Sequence, residues 1–268
     1  MGTIKYDKGD ANPRRMHIQA RRGEIGDYVI VPGDPFRCEL IASFLEDARL
    51  IAHNREHKTY TGTYKGLSVS VTSTGMGCPS TAIACEELAQ CGAKVIIRTG
   101  SGFILRDGIK EGDIAVTLGS AKYEGTTEFF VPKGYPAIAD IDVVTALVSA
   151  AKKHLEGTGR TVHTGITATV DGFYGETEEF LGSLKAIGIM NVEMESAAVL
   201  TTCQRYGIRG ACICTCGNDD TSEESRTVYK ATMEGQIRIA LDAMYEFDLR
   251  QKEGKLVNGG GMGWVKSV

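Results

Sequence analysis

Short apolar runs closed by glycine or aspartate alternate with stretches of helical spacing along most of the chain. "DYVIVPGD" is a continuous apolar run ending in Gly33 and Asp34, which predicts a buried strand reaching a loop. "FRCELIASFLE" follows with apolar residues at helical intervals. "TYTGTYKGLSVSVTSTGMG" predicts two strands with "YKG" at the turn, and "PSTAIACEELAQCGA" a helix closed by Gly92. "KVIIRTGSGF" reads as a buried strand ending in a glycine loop, and "GDIAVTLGSAKYEG" as a strand entering a polar loop. "DVVTALVSAAKKHLEG" is an amphipathic helix. "TVHTGITATVDGFY" and "MNVEM" are strands, "ESAAVLTTCQRYG" is a helix and "GACICTCGNDD" is the last strand. "SRTVYKATMEGQIRIALDAMYEFDLR" is a long final helix.

Strand-to-helix alternation with no linker or repeat predicts one α/β domain over residues 16–250 around a parallel or mixed sheet. Residues 1–15 read as a loose arm, and 251–268, with "NGGGMG", as a flexible tail. In open α/β sheets ligands bind beyond the carboxyl ends of the strands. "PGDPFR", "RTGSGF", "EMES" and "CGNDD" all fall at such ends, and this convergence is the main functional signal.

Composition narrows the picture. A formal charge of −4 over 268 residues excludes a broadly basic nucleic-acid surface but not a local arginine cluster for a small anion. No run of about 18 apolar residues and no apolar leader is present, so no membrane span is expected and a cytoplasmic protein is. The eight cysteines lie mostly in apolar segments and read as reduced core residues. "CICTC" puts Cys212, Cys214 and Cys216 on one strand face, but without a second cluster no metal site is expected.

The charged residues in apolar surroundings carry the chemistry. Arg98 sits inside "VIIRTGSG", where a bare guanidinium needs an anion; Arg37 follows Gly33 and Asp34, and Arg55 lies in "HNREHKTY". Gly33, Gly100 and Gly102 permit close backbone approach to an oxyanion, and Ser101 adds a hydroxyl. Together they describe a pocket for one phosphate, with an internal pair such as Arg98 with Asp34 as the alternative. Glu195, at a helix start, suits two vicinal hydroxyls or a capping role. Glu193 points the other way if the segment stays extended, and then orients an arginine or the substrate.

At these residues the chain resembles the hexamer- and trimer-forming nucleoside phosphorylases, in the branch holding uridine phosphorylase and bacterial-type purine nucleoside phosphorylase. The resemblance runs from about Met16 to about Phe247 through "VIVPGDPFR", "NREHKTYTGTYKG", "STGMGCPSTAIACEELAQCGAKVIIRTGS", "YPAIADIDVVTALV", "DGFYGE" and "NVEMESAAVL". It implies a three-layer α/β/α domain with a central, mixed, partly barrel-like sheet. The implied reaction is reversible phosphorolysis of a nucleoside to free base and pentose 1-phosphate, a pentosyl transfer. Inorganic phosphate is the co-substrate, with no metal or organic cofactor.

The resemblance gives phosphate to Gly33, Arg37, Arg98 and Ser101, with Arg55 reaching the phosphate of a neighbouring subunit. It gives ribose to Met194 and Glu195, with His17 reaching the 5′-hydroxyl across a dimer interface. The base pocket would draw on Gly102, Phe103, Phe173, Thr177, Glu179, Glu193 and Asn218. Asn218 or Asp219 would face the leaving base. Sites shared within a dimer, and three dimers in a hexamer, are expected.

Three positions depart from the family pattern. Phe103 stands where a glycine is usual. Thr177 and Glu179 stand where uridine phosphorylases carry a Gln and an Arg that read uracil. Asn218, with Asp219 next, stands where purine phosphorylases carry the acid. These departures lean toward purine or broad base choice, with uridine phosphorylase as the alternative. A nucleosidase, which would lack the phosphate arginines, and a non-catalytic nucleoside-binding protein are the other readings. No GxGxxG follows a strand, which excludes a dinucleotide-dependent oxidoreductase.

Overall fold

A computed structural model describes residues 10–217 and 222–257. The apolar runs form the inner strands β1 (Tyr28–Pro32), β4 (Leu67–Thr72), β5 (Val95–Ile104), β6 (Ile114–Tyr123), β8 (Val162–Val170) and β10 (Arg209–Gly217). β1 is buried throughout, as a strand covered on both faces must be. Strands β2 (Glu46–Asn54), β3 (His57–Tyr64), β7 (Ala137–Ile138) and β9 (Asn191–Glu193) complete a mixed sheet in the order β10-β6-β8-β9-β5-β1-β4-β3-β2, with β7 beside β6. β10 also pairs with β5 in parallel, from Arg209↔Val95 to Gly217↔Phe103. That extra ladder closes β5, β10, β6, β8 and β9 into a ring, while β1, β4, β3 and β2 extend from it as an open sheet. The expected α/β architecture with a partly barrel-like sheet is therefore present.

Helices α2 (Cys78–Cys91) and α5 (Ser196–Tyr206) pack together, as do α3 (Ile141–Leu155) and α6 (Glu223–Lys252), and both pairs join the main apolar core. Two shorter helices, α1 (Pro35–Ala42) and α4 (Glu178–Ala186), start on side-chain caps from Asp34 and Thr177. Gly92 ends α2 in the left-handed conformation, φ 105°, as its position after the helical run predicts.

Several expectations need correction. "GSGF" is not a loop: β5 runs on through Ile104, because β10 pairs as far as Phe103 and β9 pairs antiparallel with Phe103 and Ile104. The segments loose in expectation at both ends are partly tied down. Arg14 bonds Glu24 at 2.8 Å and Arg15 is buried. At the other end α6 continues to Lys252, Leu256 packs on the core, and the Val257 amide donates to Asp142 at 2.8 Å. All eight cysteines are buried and unpaired. No helix among the described residues is long and apolar enough to cross a membrane.

Candidate active site

The site forms where β5, β9 and the starts of α1, α2 and α5 converge. Arg98, on β5, is only 4% exposed, and a guanidinium in that setting requires anionic partners. It has two. Its Nε donates to Glu193 Oε2 at 2.9 Å, and its Nη2 pairs with Glu195 Oε2. The internal pair with Asp34 does not form; Asp34 caps α1 through the Phe36 amide at 2.9 Å.

Both glutamates, two residues apart, reach this one arginine. β9 stops at Glu193, and Glu195 adopts φ −140°, ψ −19° as the chain turns into α5. Glu193 does not point away from Glu195 as expected: residues two apart along a strand share a face, and both carboxylates meet Arg98. Glu193 is also the group that satisfies the start of α5. Its carboxylate accepts from the amides of Glu195 at 2.8 Å and Ser196 at 2.9 Å, and from Thr169 Oγ1 at 2.6 Å. Those donors and Arg98 surround Glu193, which is 5% exposed.

Glu195 does not cap its helix. Its Oε1 accepts from the amide of Gly77 at 2.7 Å, at the N-terminus of α2, where φ is +86° and glycine is favoured. Burial pushes the Glu195 carboxyl up, Arg98 opposes this, Glu193 adds to it, and the Gly77 amide and Arg37 oppose it. For Arg98 burial works against the charge, but the two carboxylates outweigh it and hold the guanidinium protonated. Arg37 therefore lies within electrostatic reach of Glu195, and its Nη1 is buried with no hydrogen-bond partner. An oriented donor without an acceptor, beside a buried arginine, is what an anion pocket requires.

Gly100 has a steric reason to be glycine. A Cβ there would lie 2.6 Å from Arg98 Nη2, because the guanidinium folds over that residue. Behind it, Gln236 of α6 donates to the carbonyls of Gly100 at 2.7 Å and Ile213 at 3.1 Å, tying β5 to β10. Gly100→Ala is expected to push Arg98 off both carboxylates. A rise of at least about ten-fold in the phosphate KM, together with a fall in Tm as the two buried carboxylates lose their partner, is the result to look for.

Residues 27–246 match the model of the family described as "Phosphorylase superfamily". The chain belongs to that superfamily. A curated uridine phosphorylase from Thermococcus kodakarensis is 42% identical over 213 residues, covering 75% of this chain and 76% of the relative. A guanosine phosphorylase from Halorubrum lacusprofundi is 35% identical over 240 residues, covering 86% and 98%. The crystal structure of uridine phosphorylase from Vibrio fischeri superposes with a TM-score of 0.79 at 29% identity, over 90% of this chain and 100% of that one.

The remaining residues singled out from the superfamily pattern are spread over several elements. Gly33 lines the turn after β1, where the Gly75 amide donates to its carbonyl at 2.9 Å, and Ser101 is exposed three residues beyond Arg98. Arg55 is exposed at the tip of the β2–β3 hairpin with φ +54°. His17 is held on α2 by Glu87, which accepts from His17 Nδ1 at 2.8 Å and from the amides of His17 and Ile18. Phe173 is 62% exposed in a 3-10 turn (Phe173–Gly175) after β8.

Phe103 and Met194 pack in one apolar cluster with Leu105, Val170 and Leu184. Gly102 lies against Asn191, whose Nδ2 would be 2.2 Å from an added Cβ. Thr177 Oγ1 accepts from the Phe180 amide at 3.2 Å, and Glu179 is exposed on the first turn of α4. Asn218 and Asp219 lie outside the described residues.

Sequence reasoning missed Gly77, Thr169, Glu87 and Gln236. "GCPS" did carry a signal for Gly77, since a glycine before Pro at a helix start offers a free amide. The other three act through contacts 24 to 136 positions away, which no local pattern encodes.

Proposed function

We propose that this protein is a nucleoside phosphorylase that converts a nucleoside and phosphate to a free base and pentose 1-phosphate. The observation that carries the reading is the buried Arg98 held by two carboxylates, with the unpartnered Arg37 nitrogen and the Gly77 amide beside it. In this reading Arg37, Arg98, Gly33 and Ser101 take phosphate. Glu195 and Met194 take the sugar, with Glu195 on its 2′ and 3′ hydroxyls. A phosphate oxygen attacks C1′, the glycosidic C–N bond breaks, and its electron pair leaves on the base nitrogen, which gains a proton. The held dianion stabilises the oxocarbenium character of the sugar and supplies the nucleophile, so no metal or organic cofactor is called for. Asn218 or Asp219 serves the leaving base.

For the base we favour purines or a broad range. Thr177 caps α4 and Glu179 is a bare carboxylate, so the pair cannot reproduce a Gln and an Arg on a uracil edge. Phe103, Gly102 and Phe173 shape the pocket around the base. Uridine is the second reading, favoured by the 42% identity to the uridine phosphorylase. Arg55, exposed on its hairpin, and His17, oriented by Glu87, are assigned to the site of a second copy. The working unit is then a dimer, with three dimers in a hexamer and a cytoplasmic setting.

Assaying inosine, adenosine, guanosine, uridine and thymidine, each with and without inorganic phosphate, tests this. Phosphate-dependent base release is expected, highest for the purine nucleosides. Equal release without phosphate indicates a nucleosidase, and binding without release indicates a non-catalytic binder.

A further inference from the structure

We propose that this pocket binds its oxyanion together with one proton, and that the proton resides on Glu195. The inference rests on the phosphate pocket proposed above and concerns its regulation by pH. The charges explain it. Arg98 and Arg37 face Glu193 and Glu195, which leaves the ligand-free cluster near neutral. A dianion then adds two negative charges beside Arg98, Glu193 and Glu195, which are only 4 to 5% exposed. Even one guanidinium from a second copy offsets only half of that.

The groups facing Glu195 from each packed element offer no other acceptor for the proton. They are Arg37 from α1, the Gly77 amide and Cys78 from α2, Arg98 from β5, Glu193 from β9 and Cys214 from β10. Burial pushes the Cys214 thiol up to about 12 and drives Cys78 in the same direction, so both are already neutral. Glu124, which also faces Cys78, is engaged by Thr127 through its amide at 2.9 Å and its hydroxyl. Glu193 accepts from Arg98, Thr169 and two backbone amides, and protonation would sacrifice those bonds at the start of α5. Glu195 accepts only from Gly77 and Arg98 among the described residues, and burial already favours its neutral form. A bound dianion acts on Glu195 with the same sign as Glu193 and raises it further.

Titration calorimetry of sulfate into the full chain tests the coupling, because sulfate stays dianionic across the range and brings no proton. Run at one pH in two buffers of different ionisation enthalpy, it is expected to show uptake of about one proton per sulfate. The association constant should fall by up to about ten-fold per pH unit between the free-state and bound-state titrations of Glu195. Glu195→Gln is expected to bind sulfate more tightly, with no buffer dependence and no pH slope. Sulfate binding with buffer-independent heat and a flat pH profile overturns the inference and leaves the phosphorylase reading intact. Uptake that persists in Glu195→Gln overturns the assignment to Glu195. No sulfate binding at all overturns both the inference and the phosphate pocket.

Discussion

Arg98→Ala is expected to lower phosphate-dependent turnover by at least about a thousand-fold, the scale on which one charge-stabilising donor at a reacting centre acts. The same change should also weaken the fold. It strands Glu193 and Glu195 as neighbouring buried carboxylates, and breaking a buried pair by removing one partner costs about 3–5 kcal/mol. The loss should be largest at neutral pH and smaller in acid, where the stranded carboxylates can protonate. Urea unfolding at two pH values, beside turnover on the best nucleoside, reads both effects. Arg98→Lys restores the charge but not the two-sided geometry, so it should recover stability more than activity. Turnover unchanged in the alanine variant would remove Arg98 from the phosphate site.

Glu195→Ala should separate sugar from base. If the Glu195 side chain holds the 2′ and 3′ hydroxyls, each hydrogen bond is worth about 0.5–1.5 kcal/mol, so kcat/KM for ribonucleosides falls by about 5- to 150-fold. Affinity for the free base should change by less than about three-fold, since the base meets other residues. Nucleosides lacking the 2′-hydroxyl should lose less than their ribo counterparts. Equal loss for nucleoside and free base would exclude Glu195 from the sugar site. The removed carboxylate also leaves Arg98 with Glu193 as its one remaining partner, so a modest fall in Tm is expected as well.

Much of this site was legible before folding was considered. A lone arginine in an apolar strand, glycines around it and a glutamate pair at a strand end are each costly choices unless something uses them. The way they are used was less legible. Glu193 was expected to point away from Glu195, yet both pair with Arg98, as residues two apart on one strand face can. The glycines near Arg98 suggested a loop, yet Gly100 serves the passage of a guanidinium within a continuing strand. Strand β2 and helix α4 escaped notice for a related reason. β2 is an exposed edge strand with little apolar alternation, and α4 buries only Leu184 fully and contains Gly182. Elements that contribute little to a core leave a weak hydrophobic pattern.

By itself the sequence determined the inner strands, the long helices and the identity of the charged residues, because burial of continuous apolar runs and helical periodicity are local properties. Only the tertiary structure decided that β10 would pair with β5 and close a ring, and that Arg98 would divide itself between two carboxylates. It also decided that Gln236 and Gly77 would meet the strand and carboxylate they serve. Those outcomes depend on backbone groups and side chains far apart in the chain finding partners. The reason is the cost of leaving a buried donor or charge unmatched, which acts on the folded molecule as a whole.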